Sequence, residues 1–311
     1  MIKELEKIDQ LKKQDAKKLF SSINKSPPVV LSADIDGLTS LAILHSFGLN
    51  LRLVGLHSPE RILIEKNISL KDCLFLDIEI LNSSIVSVGN HLQSPHHSCF
   101  DDVDIVDKSF SIINPNKTRN VSYVEKREGN LGFKRKYPYG TCHYVIELLE
   151  VLGKSCNLPD NSKPWLYSAD GTLNTMFKRE YVSNTNEWID SFFTKNGTVY
   201  NLLNHARVYM MGRNEKISYD VPGFEEKRKK MYEVPVLNKH IQMVNSAFNI
   251  NINTLLDADL VSFEFDTNNC SVSKKRCLEI LRDTKCVTAA IHKGGIGGFS
   301  YSLDTKNCIN V

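Results

Sequence analysis

The 311-residue sequence contains no run of 18 or more apolar residues, so no membrane-spanning helix and no membrane partner are expected. It carries little net charge, +3, too weak a balance to imply a nucleic-acid partner by itself. None of its eight cysteines, at 73, 99, 142, 156, 270, 277, 286 and 308, forms a CxxC pair. That spacing argues against a zinc ribbon and for scattered reduced thiols. The first residues, MIKELEKIDQLKKQDAKK, lack the apolar centre of a signal peptide, and a cytoplasmic protein is expected. No internal repeat or low-complexity tract is present. What remains is ordinary globular composition, 41% hydrophobic and 24% charged, with length enough for two domains.

Residues 2–24 carry Leu5, Ile8, Leu11, Leu19 and Phe20 between lysines, the spacing of an amphipathic helix that Pro27 and Pro28 end. Val29 to Leu31 predict a short strand, 38–48 a helix closed by Gly48, and 51–58 a second strand. A short helix over 59–67 and strands over 73–80 and 84–90 follow. This alternation predicts an α/β fold, a parallel sheet with helices on both faces, whose ligands bind beyond the carboxyl ends of the strands. Segment 101–136 reads as a long polar loop, 141–153 as a helix, and 175–245 as mostly helical. The last 50 residues return to α/β: strands at 259–265, 286–291 and 299–303, a helix over 274–284, and a turn at Gly294 to Gly298. The division expected is an N-terminal helix over 1–24, a first domain over 25–200, a helical linker over 201–250 and a smaller α/β domain over 251–311.

Asp34-Ile35-Asp36-Gly37 follows the first strand. Two carboxylates at i and i+2 on a strand face one side and repel unless a cation lies between them. Gly37 permits a tight turn into a helix whose first turn is expected to hold Thr39 and Ser40, where free N–H groups attract phosphate. The plainer alternative is an Asp-rich turn with Asp36 as N-cap. Asp77 in the apolar stretch Leu74 to Ile78 weakens that alternative, because a buried charge needs a partner or a metal. Asn90-His91 follows Ile85 to Val88, and Asp170 follows the apolar residues 165–167. Carboxylates mixed with imidazole suit Mn²⁺ or Mg²⁺ better than zinc.

The order of these pieces resembles the DHH phosphoesterase superfamily, which includes RecJ-type exonucleases, nanoRNases, cyclic-dinucleotide phosphodiesterases and family II pyrophosphatases. Asp34 to Gly37 with Ser40 looks like the first motif, Asp77 the second, Asn90-His91-Leu92-Gln93-Ser94 the third and Asp170 the fourth. Residues 137–141 before a helix resemble the connector to the fourth motif, so the resemblance spans about residues 25–180. Three departures stand out. Val30 and Ser32 occupy the places where a His or Asp is usual before the first motif. Asn90 and Leu92 replace the acid and second His of the third, with His96 and His97 a few residues on. At the C-terminal end, Tyr301 to Thr305 resembles the strand of the DHHA1 substrate domain with Asp304 for its arginine, and the glycines 294, 295, 297 and 298 resemble its loop without the histidine.

The resemblance implies two Mn²⁺ or Mg²⁺ ions, or one if the change at Ser32 weakens a site, and in-line attack of water on phosphorus. It implies that Asp77 bridges the metals, Asp34 holds one, and Asp36, His91 and Asp170 hold the other, with Asn90 behind them. The substrate side would comprise Thr39, Ser40, His96, His97, Lys134, Arg135, Gly294, Gly295, Gly297, Gly298 and Ser302. Basic clusters at 126–127, 134–136, 178–179 and 274–276, some beside Tyr137, Tyr139 and Phe177, fit a single-strand channel or solvated helix faces, and the cluster at 227–230 reads as a solvated helix face. The activity expected is cleavage of single-stranded or short nucleic acid. The alternatives are a phosphatase for a small nucleotide, such as a cyclic dinucleotide or pyrophosphate, and a non-catalytic scaffold binding nucleic acid or protein.

Overall fold

The computed structural model describes residues 2–58, 61–80, 84–91, 111–118, 136–155, 157–211, 233–256, 259–264, 266–267, 270–271, 286–292 and 298–303, with side chains followed from 5 to 208 and 233 to 262 within these. The fold is α/β, as expected. Strands β1 (Val29–Ser32), β2 (Leu53–His57), β3 (Arg61–Glu65), β4 (Leu74–Leu76), β5 (Ser87–Val88), β6 (Ile112–Ile113) and β7 (Leu260–Glu264) form one sheet in the order β6-β5-β4-β1-β2-β3-β7. From β6 to β2 every pairing is parallel, whereas β2–β3 and β3–β7 are antiparallel. Five strands therefore deliver their carboxyl ends to a single edge.

Period-two burial builds the central strands. Val29 and Leu31 enter one apolar cluster and Val30 the other, so β1 is buried on both faces. The first cluster receives α1 (Ile2–Ile23), α2 (Ile35–Ser46), α3 (Thr141–Val151), α4 (Lys163–Ser168), α5 (Thr172–Phe177), α6 (Val182–Ser191), α7 (Thr198–Met211) and α8 (Val234–Phe248). The second is closed, among the described residues, by Leu70, Cys73, Ile78, Ile80 and Ile85. The described helices thus line one face of the sheet rather than both.

Helix α2 is buried from Ile35 to His45, with the polar Asp36, Thr39, Ser40 and His45 buried along with its apolar residues, as its place among other helices demands. Its start lies against β1 because Gly37 has no side chain: a Cβ there would meet the Ser32 carbonyl oxygen at 2.5 Å. Its end is the expected one, with Gly48 at φ +77°.

Several expectations need correcting. Residues 61–65 form a strand, not a helix, because Ile62 and Ile64 alternate inward with half-buried Arg61, Leu63 and Glu65. The strands at 73–80 and 84–90 shrink to three and two residues, since Asp77 turns the chain at φ +60°. The stretch before Asp170 is helix α4: Trp165, Leu166 and Tyr167 are consecutive core residues packed on α2, and short apolar runs do not distinguish strand from buried helix. The long loop expected at 101–136 contains β6 and a 3-10 turn at Pro115–Thr118. Within 201–250, expected as a helical linker, the described residues Leu202, Leu203, Ala206, Leu237, Ile241, Val244 and Phe248 belong to the first core, and β7 joins the first sheet. A second sheet contains β8 (Asp266–Thr267), β9 (Cys270–Ser271), β10 (Cys286–His292) and β11 (Gly298–Leu303), with β11 paired antiparallel to the other three. Strands were expected at the second and third of the C-terminal positions. The expected helix over 274–284 and most of the Gly294 to Gly298 turn lie outside the described residues.

Candidate active site at the carboxyl edge of the sheet

Each parallel strand ends in polar residues. Asp34 and Asp36 follow β1, Asp77 and Glu79 follow β4, Asn90 and His91 follow β5, Asn114 and Asn116 follow β6, and His57 closes β2 opposite Ser32. Adjacency in the sheet sets these groups side by side, which sequence distance alone would not.

Asp34, rather than Asp36, caps α2. Its Oδ1 accepts from the Gly37 amide at 2.9 Å and its Oδ2 from the Ser32 hydroxyl at 2.6 Å. The first helical residue is therefore Ile35, and Thr39 and Ser40 fall in the second turn. Both are fully buried with hydroxyls that have no hydrogen-bond partner, and their amides lie beyond the first turn, where free N–H groups were expected to attract phosphate.

Asp36 instead reaches across to α3. Its two oxygens accept from the Thr141 amide at 2.6 Å and the Cys142 amide at 2.9 Å, capping a helix whose own N-cap, Gly140, has no side chain to offer. A Cβ on Gly140 would stand 2.8 Å from Asp36 Oδ1 and 2.9 Å from the Ala169 methyl. Thr141 joins two parts of the site, since its hydroxyl donates to Asp77 Oδ1 at 2.7 Å. Asp77 is 2% exposed, and its Oδ2 has no hydrogen-bond partner.

Asn90 donates to the Tyr139 carbonyl at 2.6 Å and to Asp170 Oδ2 at 2.8 Å. Asp170 and Gly171, at φ +50° and +64°, turn the chain from α4 into α5. His91 presents Nε2 3.8 Å from Asp77 Oδ1. The structure thus brings Asp34, Asp36, Asp77, Asn90, His91 and Asp170 together.

Electrostatics follow from this crowding. Burial pushes the Asp36 carboxyl up to about 7, helped by the charges of Asp170 and Asp34. Asp77 is raised well above the carboxylate range by burial and then by Asp36, Asp34 and Asp170. At His91 burial opposes the charged form, but the Glu79 carboxylate outweighs it and lifts the imidazole to about 9, with Lys136 acting against. Burial, with His91 adding repulsion, holds His57 down at about 4.

A divalent cation is implied by the resemblance, and the donor set fits one. A buried carboxylate oxygen without a partner, the raised carboxyls of Asp36 and Asp77 beside the charges of Asp34 and Asp170, and an imidazole nitrogen facing Asp77 are all relieved by a positive charge. As placed, no three His, Cys, Asp or Glu side chains among the described residues are gathered closely enough to hold a metal by themselves. Asp36 already bonds through both oxygens, although each keeps a further lone pair.

Sequence reasoning missed Glu79, Asn114 and Asn116, and gave Gly140 and Thr141 no role beyond the connector at 137–141. Glu79 repeats the i, i+2 pattern of Asp34 and Asp36, and Asn114-Pro115-Asn116 after two isoleucines repeats the pattern of a polar strand end. His96, His97, Lys134, Arg135, Gly294, Gly295 and Gly297 lie outside the described residues, as does Leu92. Gly298 and Ser302 lie on β11 in the second sheet. No described helix is long and apolar enough to cross a membrane. Comparison with family models, with curated proteins and with solved structures finds no match.

Proposed function

We propose that the chain is a metal-dependent phosphoesterase of DHH type that hydrolyses single-stranded or short nucleic acid. The observation that carries this reading is the unpartnered, buried Asp77 Oδ2 at the carboxyl edge of a parallel sheet, near enough to Asp36, Asp34 and Asp170 for their charges to raise it. A buried carboxylate among like charges is unstable in its charged form without a cation. Asp34, Asp36, Asp77, His91 and Asp170 are the residues that would hold Mn²⁺ or Mg²⁺. Such ions supply Lewis-acid polarisation of a phosphoryl oxygen and a more acidic attacking water. The protein's own part is to fix the donors. Thr141 orients Asp77, Asn90 orients Asp170, and Lys136, close enough to His91 to oppose its charge, offers a cation to a substrate phosphate.

The test is incubation of purified protein with Mn²⁺ and labelled oligonucleotides of several lengths, beside cyclic dinucleotides and pyrophosphate. Metal-dependent shortening of oligonucleotides, abolished by chelator, is expected. Turnover confined to the small substrates would move the assignment to a nucleotide phosphatase, and undiminished hydrolysis in excess chelator would reject the metal mechanism. A scaffold reading is favoured by one observation: Asp36, a metal ligand in the expected set, already caps α3 with both oxygens. Absence of any affinity for Mn²⁺, Mg²⁺ or Zn²⁺ at millimolar concentration would select the scaffold.

A further inference from the structure

Glu79 is 2% exposed, an unusual place for a carboxylate. Its Oε1 accepts from the His91 amide at 2.7 Å and from Asn114 Nδ2 at 3.0 Å. Its Oε2 lies 3.2 Å from His91 Nδ1. Gly89 makes room for this arrangement, because a Cβ there would stand 2.5 Å from the Glu79 carboxyl carbon. The opposite ring nitrogen of His91, Nε2, points toward Asp77 at 3.8 Å.

We infer that Glu79 is the positioning residue of the site: it grips the backbone and the ring of His91 together and holds a proton on Nδ1, so that Nε2 faces the carboxylate cluster and is the nitrogen that carries the lone pair in the neutral ring. The inference deepens the phosphoesterase reading and rests on it for the identity of what Nε2 would bind. An ionised carboxylate only accepts hydrogen bonds, so a ring nitrogen bonded to it carries the proton, and the neutral ring then has its lone pair on the other nitrogen. Carboxylates placed behind histidine ligands in this way set ring orientation and basicity. Asn114 adds a third donor that holds Glu79 itself, so the strand end of β6 supports the strand end of β5 through one side chain. Glu79 touches neither substrate nor cation in this account, and its effect passes entirely through His91.

The replacement Glu79→Gln preserves shape and removes the second acceptor. With the Gln carbonyl taken by the His91 amide and Asn114, its NH₂ faces Nδ1, which must then accept, and the proton moves to Nε2. Long-range ¹H–¹⁵N spectra of the imidazole in the full-length protein, followed over pH until the nitrogen shifts show a neutral ring, read the tautomer directly. The wild type should show a protonated Nδ1 and an unprotonated Nε2, and Glu79→Gln the reverse. Titration with Mn²⁺ should give affinity about 10–100-fold weaker in the variant. A wild-type ring protonated on Nε2, or a folded Glu79→Gln protein with an unchanged tautomer, overturns the inference. Should Glu79→Gln fail to fold, the wild-type spectrum still decides, and Gly89→Ala, which presses on Glu79 without altering its charge, should weaken Mn²⁺ binding in the same direction. A wild type with the Nδ1–H tautomer but no Mn²⁺ affinity would remove the hydrolase reading and leave the positioning of His91 intact.

Discussion

Asp77 sits at φ +60° directly after β4, a conformation that Asp and Asn tolerate better than other residues with a Cβ. Asp77→Asn therefore keeps the turn and the bond from Thr141 while removing one charge from the cluster. Loss of a group that would hold the metals should lower the hydrolytic rate by at least about 10²-fold, on the scale of one lost transition-state contact. Relief of buried repulsion should at the same time leave the metal-free variant as stable as the wild type or more so, which denaturant titration would measure. Near-normal turnover would show that Asp77 holds no metal. His143 gives a second prediction. It is fully buried, and burial holds its imidazole down at about 4 from an ordinary 6.5. A depressed value means that the unfolded chain takes up the proton first, so stability is present above pH 6.5 and is lost as pH falls toward 4. At about pH 5 the deficit from this group is about 2 kcal/mol relative to neutral pH. His143→Leu should flatten that part of the stability profile by about this amount. Equal slopes for the two proteins between about pH 7 and pH 5 would contradict the assignment.

Among elements, the junction of α2 with α3 matters most. The N-terminus of α3 approaches so closely that Asp36 caps it across more than a hundred residues of sequence, and only glycine at 140 leaves the space. Gly140 has an ordinary extended backbone, φ −69° and ψ 158°, so the obstacle to a larger residue is steric rather than torsional. Gly140→Ala should destabilise by about 1–3 kcal/mol, the range for overpacking a filled interior, and should reduce turnover by moving Asp36 and Thr141 together. An alanine variant with unchanged melting temperature and unchanged rate would show that the junction has slack. At this scale the sequence was legible where one period dominated. Residues 35–46 and 141–151 form the helices expected, and Gly48 ends the first of them. It was misleading at 61–65, where a few apolar residues fit either period and the neighbouring strands β2 and β7 decide.

Across the whole molecule, α1 is fastened to the helical layer by a charge placed inside it. Lys12 lies on the core face of α1, 4% exposed, and its ammonium donates to Glu147 Oε1 at 2.9 Å and to the Phe192 carbonyl at 2.6 Å. Glu147 also accepts from the Thr194 amide and hydroxyl, so α1, α3 and the end of α6 meet at one buried pair. Lys12→Met should destabilise by about 3–5 kcal/mol because it leaves Glu147 buried and uncompensated. The combined Lys12→Met and Glu147→Leu replacement should recover part of that loss, and thermal unfolding of the three proteins would compare them. A Lys12→Met protein of wild-type stability would mean that the pair contributes nothing to holding α1.

The amphipathic reading of residues 2–24 gave the helix but placed Leu5 on its apolar side, whereas Leu5 is 40% exposed and Lys12 is buried; a lysine's core role depends on a partner 135 residues away. The same division runs through the molecule. Local composition determined the α/β class, the end of α2 at Gly48 and the identity of the acidic and imidazole groups, because apolar period, glycine and proline act over a few residues. Only the tertiary structure decided that α7, α8 and β7 pack with the first core and sheet, that β6 lies within an apparently irregular stretch, and that Glu79 and Asn114 stand behind His91. Those features arise from pairing between distant strands, and strand order is set by how buried faces match in three dimensions rather than by any neighbouring residues in the chain.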